Sequence, residues 1–308
     1  MNASRGTAWL AVDWGTTNVR AWLVNGARVL RRQDFALGVG LLQPGEAARH
    51  LRDTIRPAMD AAESPAILCG MIGSTLGWEV APYVDCPVDF HALHERLHLV
   101  RAAEPPAWIV PGLKAQRPDG GPDVMRGEET QLFGWALGDQ SRYKGEQLIC
   151  LPGTHTKWVR MIDGRVESFV TVMTGELFAL LRNHSVLRAG PAQDDETAFR
   201  LGLKAAGNGN ALASRIFTAR SRVVGGDMSP SQVDSYLSGL LIGAEAASLP
   251  ALFGIESGCR ITVVGERGLS ERYRQAIAAR GFTAETSDGE EAVLAGLQAL
   301  AAKGEASS

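Results

Sequence analysis

The chain opens on an apolar run, Ala8–Asp13, then a polar Gly-Thr-Thr stretch, then a second largely apolar run at Arg20–Val24. Apolar runs of this length, bounded by turn residues, predict two strands. Asn25-Gly26 predicts a tight turn into a third strand around Val29. Helical character follows over Glu46–Ala62, and Ala66–Met71 is a short apolar run closed by Gly70 and Gly73. Between Glu104 and Asp123 stand Pro105, Pro106, Pro111, Pro118 and Pro122, and this Pro/Gly-rich stretch predicts a crossing between two domains. Beyond it the pattern predicts a helix over Glu128–Leu137, strands at Leu148–Leu151 and Arg260–Val264, and helices over Ser270–Ala279 and Gly289–Ala302. The most apolar later stretch, Tyr236–Ile255, is interrupted by Glu245 and Pro250, so it predicts a core helix and not a membrane span. Alternating strands and helices with a hairpin opening each half predict an α/β protein.

The hairpins form an internal repeat. Asp13-Trp14-Gly15-Thr16-Thr17-Asn18 precedes Asn25-Gly26, and Leu151-Pro152-Gly153-Thr154-His155-Thr156-Lys157 precedes Asp163-Gly164. Gly15 to Gly26 and Gly153 to Gly164 are each eleven positions, so strand, Gly-Thr turn, strand, Asx-Gly turn, strand recurs at one spacing. A single Gly-Thr after a strand is an ordinary turn. Used twice, it is a means of gripping phosphate, because glycine lets the backbone approach an anion and the amides and threonine hydroxyls that follow can donate to it. Gly15, Thr16, Thr17, Gly153, Thr154 and Thr156 are therefore candidate nucleotide ligands. Asp13, at the end of the first strand, is the candidate to hold Mg2+ through water; the second turn has Leu151-Pro152 in place of an acid.

Composition narrows the class. The chain has 308 residues, 45% of them hydrophobic and 21% charged, with a net charge of −3. That is long enough for two folded domains, and it offers no basic field to draw nucleic acid. Cys69, Cys86, Cys150 and Cys259 are scattered and unpaired with histidines, as in the reduced thiols of a cytoplasmic protein. No secretory leader is expected, and neither membrane nor nucleic-acid partners. A homodimer is left open.

Several longer segments resemble the 2-dehydro-3-deoxygalactonokinase family, within the superfamily of hexokinase, glycerol kinase, actin and the Hsp70 ATPase domain. They are Asp13 to Asn18, Gly70-Met71-Ile72-Gly73-Ser74 with Gly77-Trp78, Pro82-Tyr83-Val84 with Cys86-Pro87, and Asp123 to Gln131. Leu151 to Trp158, Met173-Thr174-Gly175-Glu176 and Ser238 to Gly243 complete the set, which spans nearly the whole chain. The resemblance implies two ribonuclease-H-like domains of the actin/hexokinase type with a nucleotide cleft between them. These are expected at residues 1–122 and 123–288, with the helix over 289–308 packing back on the first. It implies ATP and Mg2+ as cofactors, and phosphorylation of the 6-hydroxyl of 2-dehydro-3-deoxy-D-galactonate in galactonate breakdown. The alternatives are a kinase of another sugar or sugar acid, or a non-metabolic ATPase of the actin or Hsp70 kind.

The resemblance also implies where the acceptor lies. The superfamily's catalytic acid precedes the second phosphate hairpin near a helix start, which makes Glu128 and Asp123 the candidate bases, with Glu129 an ordinary first-turn charge. Arg126, between them, offers a planar fork for the substrate carboxylate or an ion pair with the same acids. Lys157 and His155 are candidates for phosphate or substrate contact, or solvated strand residues. Glu176 is a candidate for sugar hydroxyls or a helix-start charge, and Gly265, in the turn after the late strand, lies against adenine and ribose in the family. Trp14, Trp78, Trp135 and Trp158 are expected in the core, and Asp194-Asp195-Glu196 at a solvated helix start.

Overall fold

The computed structural model describes residues 8–305 apart from 44, 189, 192 and 257, with side chains to residue 302. Two sheets repeat one another. The first half contains β1 (Trp9–Trp14), β2 (Val19–Asn25), β3 (Arg28–Phe35), β4 (Ala66–Gly70), β5 (Val84–Asp85), β6 (His98–Val100), β7 (Ala107–Ile109), β8 (Leu113–Gln116) and β9 (Pro122–Met125). The second contains β10 (Glu146–Leu151), β11 (Thr156–Ile162), β12 (Arg165–Val172), β13 (Arg260–Gly265) and β14 (Thr283–Asp288). The six-stranded sheet runs β3-β2-β1-β4-β7-β6, and the five-stranded sheet runs β12-β11-β10-β13-β14. In each, a three-stranded antiparallel meander is extended by a strand parallel to its first member, β4 beside β1 and β13 beside β10. The turn Asp163-Gly164 takes positive φ at both residues, as a two-residue hairpin with the right twist requires.

Period-two alternation decides what each sheet packs against. In β1, Leu10, Val12 and Trp14 face a core closed by Ala47, Leu51 and Ile55, from α1 (Glu46–His50) and the π-helical turn that joins it to α2 (Arg56–Ala58). Trp9 and Ala11 face the other way, into a cluster shared with α4 (Glu128–Leu137) and α11 (Gly289–Glu305). That cluster also contains Ile149 and Leu151 of β10 and Val159 of β11, so α4 and α11 lie between the two sheets and serve both. Leu148, Cys150 and Trp158 face outward from the second sheet onto α9 (Val233–Leu252) and α10 (Arg267–Ala278). The remaining helices are α3 (Phe90–His94), α5 (Thr174–His184), α6 (Glu196–Ala205), α7 (Leu212–Ile216) and α8 (Thr218–Val224). Asp195 caps α6 by accepting from the Ala198 amide, and Trp14, Trp135 and Trp158 are buried.

Three segments differ from the sequence pattern. The helix expected over Glu46–Ala62 ends at Ala58 and includes the π turn. The Pro/Gly-rich stretch is not a bare linker: it holds β7 to β9, with its prolines before, between or at the first residue of strands, where a missing N–H costs no ladder bond. The composition-based crossing at 122–123 falls inside β9. β14, an exposed and polar edge strand, has no apolar alternation to announce it.

Candidate active site

The Gly-Thr turns stand at the ends of β1 and β10, each on a floor made by the segment after the third strand of its meander. Under the first turn, the amides of Gly38, Val39 and Gly40 donate to the carbonyls of Thr17, Gly15 and Thr16 at 2.9–3.1 Å. A Cβ on Gly38 would stand 2.2 Å from the Thr17 backbone, so only glycine permits this approach. Under the second turn, the Glu176 amide in the first turn of α5 donates to Thr154 O at 2.9 Å. A Cβ on Gly175 would meet Gly153 O at 2.4 Å. With their carbonyls held from below, the exposed Thr16, Thr17 and Thr154 present the opposite face of each turn outward.

Alternation carries the charged residues to the helix side of each sheet. Asp13 follows Ala11 onto the face toward α4, and its cross-strand neighbour is Arg20. Arg20 Nη2 pairs with Asp13 Oδ2 at 2.9 Å, and Arg20 Nη1 lies 3.8 Å from Glu290 in the first turn of α11. Glu290 is gripped a second time by Arg32, at 2.6 and 3.0 Å. The Asp13 side chain is only 17% exposed. Burial pushes its carboxyl upward and Glu128 adds to this, while Arg20 and the Cys69 thiol, 3.8 Å away, pull it back. A carboxylate whose ionised form is incompletely compensated by its neighbours is a fitting partner for a hydrated divalent cation.

In the second hairpin, Leu151 stands across from Lys157 on the same helix side. Lys157 is 6% exposed, and its Nζ reaches Glu128 Oε1 at 3.3 Å. Glu128 Oε2 accepts from the Arg126 amide at 3.1 Å, so the first turn of α4 sets Glu128 between Asp13 and Lys157. Glu129 is not on a solvated face. It is fully buried, accepting from the Gly127 amide at 2.6 Å and Thr130 Oγ1 at 2.9 Å, and burial with Glu128 nearby pushes its carboxyl up to about 7.

The other sequence candidates divide. Asp123 ties β9 to β12: it accepts from the Thr171 amide and hydroxyl, both at 2.7 Å, and lies 3.5 Å from Arg117. Arg126 makes no side-chain pair with the acids. Its guanidinium stacks on Tyr83 at 4.4 Å and donates to Ala81 O at 2.7 Å, while Nε and Nη1 are buried without a partner among the described residues. His155 Nε2 and Glu176 Oε2 pair with each other at 2.5 Å beside the second turn. Thr156 is fully buried with its hydroxyl 2.8 Å from Tyr273 OH. Gly265 ends β13, and a Cβ added at Gly289, the first residue of α11, would stand 2.9 Å from its Cα. Arg20 and Glu290 had no role in the sequence reading; only the register of β1 with β2 and the docking of α11 bring them to Asp13.

A duplicated sheet of order third-second-first-fourth, with a Gly-Thr turn on each copy, is the architecture of the actin/hexokinase fold. The ADPNP-bound activator of 2-hydroxyisocaproyl-CoA dehydratase from Clostridium difficile shares that fold at 10% identity and a TM-score of 0.50, covering 98% of this chain and 97% of that one. The family described as 2-keto-3-deoxy-galactonokinase matches residues 13–300. The chain is 38% identical over 296 residues to 2-dehydro-3-deoxygalactonokinase of Escherichia coli K12, covering 95% of this chain and 97% of the relative. A crystal structure from Sinorhizobium meliloti assigned to 2-dehydro-3-deoxygalactonokinase is 34% identical, with a TM-score of 0.84 and 96% and 98% of the two chains covered. The chain belongs to the 2-keto-3-deoxy-galactonokinase family.

Proposed function

We infer that this protein is an ATP-dependent kinase that phosphorylates the 6-hydroxyl of 2-dehydro-3-deoxy-D-galactonate, yielding the 6-phospho product in galactonate breakdown. The observation that carries the reading is the meeting of Asp13, Glu128 and Lys157 between two matched Gly-Thr hairpins, in a chain of this family. In this reading the outward faces of Gly15–Thr17 and Gly153–Thr154 hold the phosphates, and Gly265 borders the nucleoside. Asp13 would hold Mg2+ through water, and the ion would neutralise charge on the phosphates. Arg20 holds Asp13 in place and pulls its carboxyl back against the upward push of burial. Glu128 orients the acceptor hydroxyl and takes its proton as transfer proceeds, and Lys157 balances charge on the moving phosphoryl group. Asp123 is the weaker candidate base, because both its oxygens already serve Thr171. His155 and Glu176, paired at the rim of the second turn, would contact sugar hydroxyls.

Arg126 would take the substrate carboxylate. Two of its nitrogens lack partners among the described residues, and the groups it touches, Ala81 and Tyr83, lie in the segment that follows β4, whose movement would bare it. Halves of 1–122 and 123–288 closing on the substrates would supply that movement and exclude water from the transfer. A coupled assay across the galactonate- and gluconate-derived keto-deoxy acids, the parent aldonic acids and neutral hexoses tests the assignment. The expected result is turnover with the galactonate-derived keto-deoxy acid, and Arg126→Ala raising the KM for the acid alone. A preference for neutral hexoses overturns the substrate class and leaves the fold untouched.

A further inference from the structure

Glu245 lies within α9, fully buried against the face of the second sheet that points away from α4. Its carboxylate gathers three donors from three other elements. Trp158 Nε1 of β11 donates at 2.6 Å and Tyr273 OH of α10 at 2.8 Å, and the third donor is Thr174 Oγ1, the first residue of α5. Tyr273 OH also lies 2.8 Å from Thr156 Oγ1, where the second Gly-Thr turn re-enters β11. Both supports of that turn therefore rest on one carboxylate. Thr156 holds its exit strand, and Thr174 fixes the start of α5, whose Gly175 and Glu176 make the floor under Gly153 and Thr154.

The first half shows that the fold does not require this. The matching face of the first hairpin is apolar, with Trp14 and Val19 buried among Leu51 and Ile55, and the Trp14 ring nitrogen donates to a backbone carbonyl, Leu37 O. A buried carboxylate is costly unless its oxygens are satisfied, so its presence under one turn only calls for a local reason. Burial pushes Glu245 up to about 7 against the pull of its three donors. Proton direction adds a constraint. When the carboxylate is ionised, Tyr273 spends its one hydroxyl proton on it, and Thr156 then donates to Tyr273. Its hydroxyl is then unavailable to a phosphate, and Thr156 serves the turn by position.

We propose that Glu245 is a positioning residue that fixes the second phosphate turn through Thr156 and Thr174 without touching either substrate. The proposal rests on the reading of Gly153–Thr154 as a nucleotide turn, and the experiment separates the two. Steady-state KM values for ATP and for the sugar acid are measured with thermal midpoints for Tyr273→Phe, Glu245→Gln, Thr154→Val and Leu249→Ala. Leu249 sits in the same core one helical turn beyond Glu245 and has no part in its hydrogen bonds, and so serves as a control for general loosening. The expected result is an ATP KM raised roughly tenfold in Tyr273→Phe and Glu245→Gln, with a clearly smaller change in the sugar-acid KM, which α5 reaches only through Glu176. Leu249→Ala should lower the melting temperature and leave the ATP KM alone. Should Glu245→Gln fail to fold, Tyr273→Phe decides. An effect in Thr154→Val with none in Tyr273→Phe overturns the role of Glu245 alone. No effect in any of these three overturns the phosphate-turn reading together with it. An ATP KM raised equally by Leu249→Ala overturns the proposal as well.

Discussion

The two hairpins share a topology and differ in how they hold charge. In the first, the acid and its cation face each other across one pair of strands, Asp13 and Arg20, and the cation is 41% exposed. In the second, the position facing the cation is Leu151, and the 6% exposed Lys157 takes its acid, Glu128, from α4. The first hairpin thus pairs its own acid with its own cation, with Glu290 of α11 added beside Arg20 at 3.8 Å, while the second has no acid at that place and takes one from α4. A duplicated scaffold can be divided this way, one copy specialised for a cation and the other for a dry positive charge, because a charge counts for more where water is excluded.

The sharpest test of that contrast is Glu128→Gln, which removes the second hairpin's partner and the proposed base together. We expect kcat to fall by about two to four orders of magnitude with substrate affinities largely kept. Full activity in this variant, with a dead Asp123→Asn, would transfer the role to Asp123. Next in size is Asp13→Asn, expected to lower turnover by about 10²–10³-fold while leaving the melting temperature unchanged or higher, since a partly buried charge is removed. Near-normal turnover there would break the assignment of the first hairpin. Smaller effects separate the cations. Lys157→Met should cost kcat roughly ten- to a hundredfold, and Arg20→Met only several-fold, because its exposed charge is screened by salt and water. Equal losses at low and high salt would remove the distinction between a dry and a wet cation.

The smallest expected effect is on stability. Glu129 titrates near 7 in the folded chain, above the ordinary 4.5 of a glutamate. The folded state therefore holds a proton that the unfolded chain has released between those values. Its contribution is full below pH 4.5, declines as pH rises toward 7, and is absent above. Glu129→Gln removes this dependence, so relative to the parent it should gain roughly a few degrees in melting temperature between pH 5 and pH 8. A difference that stays constant across that range would show that Glu129 does not titrate there.

Much of this frame is legible before folding. The apolar runs and the equal Gly-to-Gly spacing mark both meanders, and Asp13 stands out because only one copy has an acid at that place. What escapes is contact across long sequence distance. Glu245 enters the sequence only as the charge that interrupts an apolar run, yet its donors come from Trp158, Thr174 and Tyr273. Glu129 reads as a first-turn charge because nothing local says that α11 will bury the start of α4. The strands around the prolines of 105–122 are hidden for a different reason: they are three or four residues long, too short for a period to emerge. Asp123 was attractive as an acid beside a glycine-rich stretch. Its engagement with Thr171 depends on β9 meeting β12, which no pattern in either segment encodes.

The place of α11 has a consequence for biosynthesis. Ala292, Val293, Leu297 and Leu300 fill the space that Trp9, Ala11 and Cys69 of the first sheet leave open. The first sheet thus keeps part of one apolar face uncovered until a helix made far later than its strands joins α4 there. A chain ending before residue 289 would keep α4 on that face and leave Trp9, Ala11 and Cys69 only partly covered.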